Sequence, residues 1–260
     1  MLQTVSGSHR AQTRKATSRA GFRAAICSLL TLVAFQITPL QRTVQAQSYT
    51  YSPVAAATYA ASNWVNGSNA NPFPTFYSGG SSDGGGNCTN FASQCIMAGF
   101  VGSWHPIDVY QNRGHFVADI GGNPGTAWYF LSSGTKSSSW AGANNLYVLA
   151  KANKLSYKGL HFQPNPWDYR NVVPGDIIFA DWEADGIVDH SIVVTGIDHY
   201  YSSGWSGVFV AYQNSVPQNN RGGSWSMQSL FNKHKLDAPA TYQKAVYYIF
   251  RPLSYSTAGL

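Results

Sequence analysis

The sequence predicts an α+β fold in which helices from the N-terminal half pack on an antiparallel sheet built from the C-terminal half. Helix signals come first along the chain, and short strand patterns separated by turns follow them. The 260 residues contain neither an internal repeat nor a linker long enough to divide the region 47–260, so we expect one domain there. With 14% aromatic and 11% charged residues, the composition excludes intrinsic disorder and a coiled coil.

Residues 1–46 have the three parts of a secretory signal peptide. Basic residues up to Arg23 are followed by an apolar stretch at 24–37 and by a small-residue cleavage site, Val44-Gln45-Ala46. The apolar stretch is shorter than the roughly 20 residues that span a bilayer, so we expect no membrane anchor. The Lys and Arg residues of the leader, which has no acidic residue, account for the formal net charge of +6. We therefore predict an extracellular protein, residues 47–260, with no nucleic-acid partner.

Two helices are predicted before the sheet. Ser52 and Pro53 are an N-cap and a first helical residue, and the helix that they begin runs to about Val65. The second helix has Asn87 as its N-cap and Gly99 as its C-terminal stop. The apolar residues of the first helix are Val54, Ala57, Ala61, Trp64 and Val65.

The second helix carries the two cysteines of the predicted mature chain, Cys88 and Cys95. An extracellular protein normally pairs its cysteines in disulfides. Seven helical residues, however, separate these two by roughly 10 Å along the axis, and a disulfide requires Cα atoms within about 7 Å. We predict that both are unpaired, with Cys95 buried as a small hydrophobic residue. Cys88 lies at the helix start, where backbone N–H groups favour the thiolate, and is the candidate nucleophile.

An irregular, aromatic segment is expected over residues 101–136, followed by a helix from about Trp140 to Lys151. A hairpin comes next, with strands at 176–182 and 187–197 on either side of an Ala184-Asp185-Gly186 turn. The remaining predicted elements are a strand at 207–214, a short helix at 226–234 and a final strand at 244–251.

His190 lies near the start of the second hairpin strand, and a strand is a rigid element from which a histidine can reach a nucleophile. Side chains alternate between the two faces of a strand, so the neighbouring Asp189 should point away from the imidazole. The group that orients the ring must then come from elsewhere. The next strand ends in polar residues, which makes Asn214 the candidate. His199 is the fallback, but nine extended residues place it roughly 30 Å from His190.

Two segments are specific enough to indicate a family. They are Asn87-Cys-Thr-Asn-Phe-Ala-Ser-Gln-Cys95 and Asp185-Gly-Ile-Val-Asp-His190-Ser. Through them the chain resembles the secreted "putative amidase domain" family, a branch of the papain-like cysteine peptidases and amidases that includes cell-wall hydrolases. The resemblance covers nearly all of residues 47–260. Weaker matches, in the expected order, are Tyr51-Ser-Pro-Val-Ala-Ala-Ala-Thr-Tyr-Ala, Asn69-Ala-Asn-Pro-Phe-Pro, Trp128-Tyr129, Ser139-Trp140 and Pro174-Gly-Asp176.

The resemblance implies a papain-like fold, with a nucleophile helix packed on an antiparallel sheet. It implies that Cys88 is the nucleophile and His190 the base, and a papain-like enzyme would orient that base with a residue such as Asn214. The implied activity is that of a secreted cysteine amidase or peptidase, which hydrolyses amide bonds in cell-wall peptides through a Cys88 acyl-enzyme. Its substrate is a peptide or a peptidoglycan-type molecule, it needs no cofactor, and we expect a monomer. Asn87 departs from the family pattern, which usually has Asp before the nucleophile.

An acidic turn offers an alternative chemistry. Asp181, Glu183 and Asp185 alternate before Gly186, as at the start of an EF-hand calcium loop. The twelfth position of such a loop is Ile192 instead of Glu, and predicted strands flank it instead of helices. We therefore interpret the turn as structural and assign no metal site, with calcium as the open alternative.

Two other functions compete with hydrolysis. The aromatic residues could line a sugar-stacking groove, which would make the protein a non-catalytic wall-binding or glycan-binding module. A transamidase would use the same Cys88–His190 pair with an amine as the acceptor. Only the binding module can dispense with Cys88. The candidate groove residues are Trp104, Trp128, Tyr129, Trp140, Trp167, Trp205 and Trp225.

Overall fold

The computed structural model describes residues 48–64, 71–76, 86–117, 127–152, 160–162, 172–198, 207–213, 223–226 and 245–256. Contacts divide the chain into two units, Met1–Thr43 and Val44–Leu260, and every described residue belongs to the second. The predicted signal peptide, residues 1–46, thus lies outside the described residues. Across the part of the chain that is described, no helix combines the length and the apolar character needed to cross a membrane.

Helices occupy the N-terminal half of the second unit. They are α1 (Pro53–Asn63), α2 (Asn87–Val101), α3 (Pro106–Gln111), α4 (Ser138–Ala141) and α5 (Ala143–Lys151). The strands of the N-terminal half are β1 (Ser48–Thr50), β2 (His115–Val117), β3 (Trp128–Ser132) and β4 (Thr135–Lys136). The strands of the C-terminal half are β5 (Leu160–Phe162), β6 (Ile177–Asp181), β7 (His190–Ile197), β8 (Val208–Tyr212), β9 (Gly223–Ser226), β10 (Val246–Phe250) and β11 (Ser254–Ser256).

The strands form three antiparallel sheets within the described residues. The largest has six strands in the order β5-β10-β6-β7-β8-β9, a second consists of β2-β3-β4, and β1 pairs with β11. Helices combined with antiparallel sheets are the α+β class that the sequence predicts. In the predicted hairpin, Ile177 pairs with Val193 and Ala180 with His190, so His190 begins the second strand, β7.

The helix α2 contributes to an apolar core that it shares with one face of the six-stranded sheet. Its Phe91 lies in the same buried cluster as Phe179 of β6 and Val193 of β7. The alternate residues Ile178 and Ile192 point to the other face, where they belong to a second buried cluster. Because both faces of β6 and β7 are buried, the strand that carries His190 is held on both sides.

The first helix begins as predicted and buries the face that carries Tyr59. Ser52 is its N-cap, with Oγ accepting a hydrogen bond from the N–H of Ala55 at 3.2 Å, and Pro53 follows it. Val54, one of its apolar residues, is 73% exposed. Tyr59 sets the orientation instead, because its ring packs near Phe91 of α2 and its side chain is fully buried. A small set of alanines beside Tyr59 therefore forms the buried face.

The predictions of both caps of α2 are wrong, because other residues occupy the cap positions. Gly86 is the N-cap, and Asn87 is the first helical residue with its side chain turned inward. At the other end Gly102, with φ of +74°, takes the left-handed cap conformation, and its N–H donates to Ala98 O at 2.8 Å. Gly99 lies inside the helix, where the Tyr51 ring covers it so closely that a Cβ would overlap the ring. Close packing, and not helix termination, is the reason for that glycine.

Three other predicted elements differ from the structure. The helix expected over 140–151 is two helices, because Gly142 between them has an extended backbone with φ of −99° and ψ of 122°. The segment 101–136, expected to be irregular, contains α3 and the strands β2 to β4. Ser226, expected to begin a helix, ends β9, and residues 227–234 lie outside the described part of the chain. The strands predicted at 207–214 and 244–251 are present as β8 and β10.

Candidate active site

Cys88 is the second residue of α2, immediately after the helix start. The first N–H groups of a helix have no intrahelical acceptor, so the backbone N–H of Cys88 belongs to a region of partial positive charge. The side chain is buried, with 7% of the residue exposed. The N–H of Gly86, the residue that precedes the helix, already donates to Ala141 O at 2.8 Å.

His190 is the first residue of β7, and the structure brings it to Cys88. The imidazole is half-buried and lies close enough to Cys88 for its charge and hydrogen-bonding capacity to act on the thiol. Two aromatic rings pack around it, those of Tyr212 at 5.2 Å and Trp182 at 6.1 Å between ring centroids. The nucleophile and base candidates of the sequence thus lie together, one at a helix start and one at a strand start.

The surroundings of Cys88 lower the pKa of its thiol to about 7, from an ordinary value near 9. Burial is the largest influence and raises the pKa, because a thiolate loses its hydration. The charge and hydrogen bond of His190, the backbone N–H of Ser191 and the hydroxyl of Thr89 all lower it, and together they prevail. A pKa of about 7 means that about half of the thiol is ionised at neutral pH.

Sequence reasoning missed two hydroxyl groups close to the Cys88 thiol. Thr89 Oγ1 lies 3.6 Å from Cys88 Sγ and 3.0 Å from Ser191 Oγ, and both hydroxyl residues are fully buried. Both residues are sequence neighbours of the two candidates, in Cys88-Thr89 and His190-Ser191. A polar residue next to each candidate, in elements expected to be buried, was the available signal.

Cys95 provides a contrast within the same helix. Both cysteines are free, as predicted, and Cys95 has no exposed surface. Burial raises the pKa of its thiol well above the ordinary value. The helix therefore holds one thiol that ionises readily and one that remains neutral.

Asn87 connects the start of α2 to the end of β8. Its Nδ2 donates to Gln213 Oε1 at 2.8 Å, and Gln213 Nε2 donates to Asn63 O at 2.8 Å. Its Oδ1 accepts from the N–H of Phe76 at 3.1 Å and from Asn90 Nδ2 at 2.9 Å. Asn87 is fully buried, so it is a structural hydrogen-bonding residue instead of the helix cap that the sequence suggested.

The predicted third residue, Asn214, lies outside the described residues, as does the fallback His199. Gln213, which sequence reasoning missed, is buried at the end of β8 next to that position. Asp189 is engaged elsewhere, because its Oδ2 accepts from the N–H of Trp182 at 2.9 Å. That contact agrees with the prediction that Asp189 does not orient the imidazole.

The acidic turn between β6 and β7 brings three carboxylates together. Oxygen atoms of Asp181, Glu183 and Asp189 lie within 4.8 Å of one another, close enough to hold a cation. Both oxygens of Asp181 already accept backbone N–H groups, from Asp185 at 3.2 Å and Gly186 at 2.9 Å. These bonds close the hairpin, which is the structural interpretation made from the sequence, while calcium remains the alternative.

A family comparison places the chain among known sequences. A family profile described as "Putative amidase domain" matches residues 50–237. The chain belongs to this family. The matched range includes Cys88, His190 and Gln213, and the family description indicates an amidase-type enzyme.

A relative of this amidase domain is the "Uncharacterized protein YhbB" of Bacillus subtilis (strain 168), which is 27% identical over 158 residues. The match covers 61% of this chain and 41% of the relative, so the chain spans less than half of the relative's length. No solved structure matches the chain significantly.

The described tryptophans that the binding-module alternative would place in a groove lie mostly in the core. Trp128 and Trp140 are fully buried and stack at 5.5 Å between ring centroids. Trp104 is 45% exposed and contacts the neighbouring His105 ring. Trp167 and Trp205, and the side chain of Trp225, lie outside the described part of the chain. Among the described candidates for the groove, the tryptophans thus pack mainly in the core.

Proposed function

We propose that this amidase domain is a secreted cysteine amidase or peptidase that hydrolyses amide bonds in cell-wall peptides through a Cys88 acyl-enzyme, with His190 as the base. One observation carries the proposal, which is the buried Cys88 thiol at a helix start beside His190, whose charge helps to lower the thiol pKa to about 7. A nucleophile beside a proton acceptor is the pair that acyl transfer requires.

In the first half-reaction, the Cys88 thiolate attacks the carbonyl carbon of the scissile amide. The carbonyl oxygen becomes an oxyanion, and the backbone N–H of Cys88, in the first turn of α2, is suited to donate to it. Collapse of the tetrahedral intermediate breaks the C–N bond, and the His190 imidazolium donates its proton to the departing amine. A thioester on Cys88 and a neutral imidazole remain.

In the second half-reaction, water attacks the thioester carbonyl while His190 accepts one of its protons. The C–S bond breaks, a carboxylic acid leaves, and the thiolate–imidazolium pair is restored. Besides the peptide, the reaction consumes only water. The Cys88 side chain carries the acyl group, and the His190 side chain carries the proton. The proposed orienting group is Asn214, two residues beyond the end of β8 and next to the buried Gln213.

The pH dependence of Cys88 alkylation by iodoacetamide tests the proposal. In the full chain we expect the rate to rise with pH through a midpoint near 7, because only the thiolate reacts. In His190→Ala the midpoint should move up, to the ordinary cysteine value near 9 or beyond, because burial then acts without the opposing imidazolium. Peptide mapping by mass spectrometry assigns the label to Cys88.

Cys95 supplies the internal control, because its buried thiol should remain unlabelled in both proteins over the same pH range. Hydrolysis of a fluorogenic peptide library and of peptidoglycan fragments should be lost in Cys88→Ala and kept in Cys95→Ala. Slow labelling of Cys88 with the same pH profile in wild type and His190→Ala would contradict the mechanism.

A further inference from the structure

A cleft of about 310 Å³ is lined by two segments that are connected to the candidate catalytic elements. One wall is the start of α5, Gly142–Asn145, and the other is Ile187–Asp189 at the end of the β6–β7 turn. Asn144 Oδ1 accepts a hydrogen bond from the N–H of Val188 at 3.2 Å, which joins the two walls. The volume is in the range of small-ligand pockets, so a peptide residue fits within it.

Both walls continue directly into the candidate catalytic groups. Asp189 precedes His190 in the chain, and Ala141, which precedes the other wall, accepts a hydrogen bond from the N–H of Gly86 at 2.8 Å. Gly86 is the N-cap of the helix on which Cys88 is the second residue. A substrate whose scissile carbonyl lies at Cys88 would therefore extend a neighbouring residue into this cleft.

The cleft carries negative charge on one wall. Asp189 is exposed, and its carboxylate is held in place by the N–H of Trp182 at 2.9 Å. None of the described Lys or Arg side chains forms an ion pair with Asp189 or with the adjacent Glu183. The pKa of the exposed Glu183 is raised by slight desolvation and by the hydrogen bond and charge of Asp189, which reflects the crowding of the two carboxylates. The opposite wall adds the side-chain amides of Asn144 and Asn145, which suit peptide groups.

We propose that this cleft binds the substrate residue next to the scissile amide and selects a residue with a free ammonium group, which Asp189 receives. The proposal rests on the proposed function and names its substrate class, a peptide with a primary amine near the cleaved bond. A carboxylate that accepts hydrogen bonds from an ammonium forms a charge-assisted contact, which a neutral residue cannot replace.

A matched pair of alkylating reagents tests this selection. The first is lysinamide iodoacetylated on its α-nitrogen, which keeps the side-chain ammonium, and the second is the same molecule with that amine acetylated. In wild type we expect the ammonium reagent to inactivate Cys88 about tenfold faster, expressed as kinact/KI, as a charge-assisted contact implies. In Asp189→Asn, which retains an acceptor for the N–H of Trp182, the two rates should become equal.

Asp198→Asn is the charge-matched control, because Asp198 follows the opposite end of β7, roughly 30 Å along the strand from Asp189. The preference should persist there. If Asp189→Asn does not fold, Glu183→Gln is the second variant. It should lower the preference about threefold, because it removes one negative charge from the exposed end of the same turn. Retention of the full preference in Asp189→Asn or in Glu183→Gln, or its loss in Asp198→Asn, overturns the assignment.

The experiment also separates this assignment from the proposed function. If only the cleft assignment is wrong, both reagents alkylate Cys88 rapidly and at equal rates in wild type. If the Cys88–His190 mechanism itself is wrong, neither reagent reacts with Cys88 faster than with a simple thiol, and both proposals are overturned.

Discussion

At the scale of single residues, the ionisation of Cys88 depends on a balance that small changes can alter. Burial opposes the thiolate, and the contacts of His190, Ser191 and Thr89 favour it. The Thr89 hydroxyl contacts two groups, Cys88 Sγ and the hydroxyl of Ser191. We expect it to tune the nucleophile without taking part in bond formation.

Thr89→Val should make Cys88 less reactive at low pH only. Loss of a hydrogen bond worth about 1 kcal/mol to the thiolate reduces the thiolate fraction at pH 6, and hence the iodoacetamide rate, about fivefold. At pH 9, where the thiol is ionised in both proteins, the rates should converge. Stopped-flow alkylation across this pH range measures the effect.

Two variants separate this tuning from a general loss of stability. Thr89→Val combined with Ser191→Ala removes both hydroxyls, so no buried hydroxyl loses its partner, and the pH shift should remain. Ser93→Ala, one turn further along α2, breaks hydrogen bonds to Trp128 and Trp140 instead. It should lower stability and leave the pH profile unchanged. A shifted profile in Ser93→Ala would indicate that helix packing alone sets the reactivity.

The sequence offered Cys88 and His190 as candidates because a helix start and a strand start are local signals, and the structure brings the two residues together. It misassigned Asn87, since the same residue type that caps a helix also hydrogen-bonds inside a core. The partner of Asn87, Gln213, is far away in sequence, and only the packing of β8 near α1 and α2 brings them together. Long-range hydrogen bonds of this kind leave no pattern in a single sequence.

At the scale of elements, hydrophobic periodicity located the helices and strands better than it oriented them. The strand β7 was predictable because its residues alternate between two buried faces. The orientation of α1 was not, because Tyr59, with a hydroxyl that donates to Gln94 Oε1 at 2.8 Å, outweighs the small apolar side chains around it. One large buried residue fixed by a hydrogen bond decides which face of a short alanine-rich helix turns inward.

Gly99→Ala should destabilise the protein, although alanine normally favours a helix interior over glycine by about 1 kcal/mol. The added Cβ would overlap the Tyr51 ring, which packs against Phe100 and donates through its hydroxyl to Gly175 O at 2.7 Å. The N–H of Ser52 also donates to Gly99 O at 2.8 Å, so the chain cannot simply move away. We expect a net loss of about 2 kcal/mol in the free energy of unfolding, measured by urea denaturation.

The Tyr51→Ala background is the matched control for this prediction. With the ring removed, Gly99→Ala should become neutral or stabilising, and the difference between the two backgrounds measures the steric conflict. A stabilising effect of Gly99→Ala in the wild-type background would show that the close contact has no energetic weight.

At the scale of the whole molecule, one buried ion pair joins two distant parts of the chain. Arg251, at the end of β10, contacts Asp176, just before β6, through Nε at 2.8 Å and Nη2 at 2.9 Å. The Asp176 side chain is fully buried, and its Oδ2 also accepts from the N–H of Val173 at 2.9 Å. The pair thus fastens the C-terminal strand beside the hairpin that presents His190.

Arg251→Leu should destabilise the protein by about 3 kcal/mol at pH 7, because it leaves the Asp176 carboxylate buried without a counter-charge. Burial already raises the pKa of Asp176, and removal of Arg251 raises it further. A carboxyl with a raised folded-state pKa favours the folded state when protonated. The loss in Arg251→Leu should therefore diminish as pH falls towards 4, and urea denaturation at several pH values measures it.

Asp176→Asn in the same background should recover stability at pH 7, because the uncompensated charge is gone. Equal losses at pH 5 and pH 7 would contradict an ionised pair and assign the cost to lost packing of Arg251 alone.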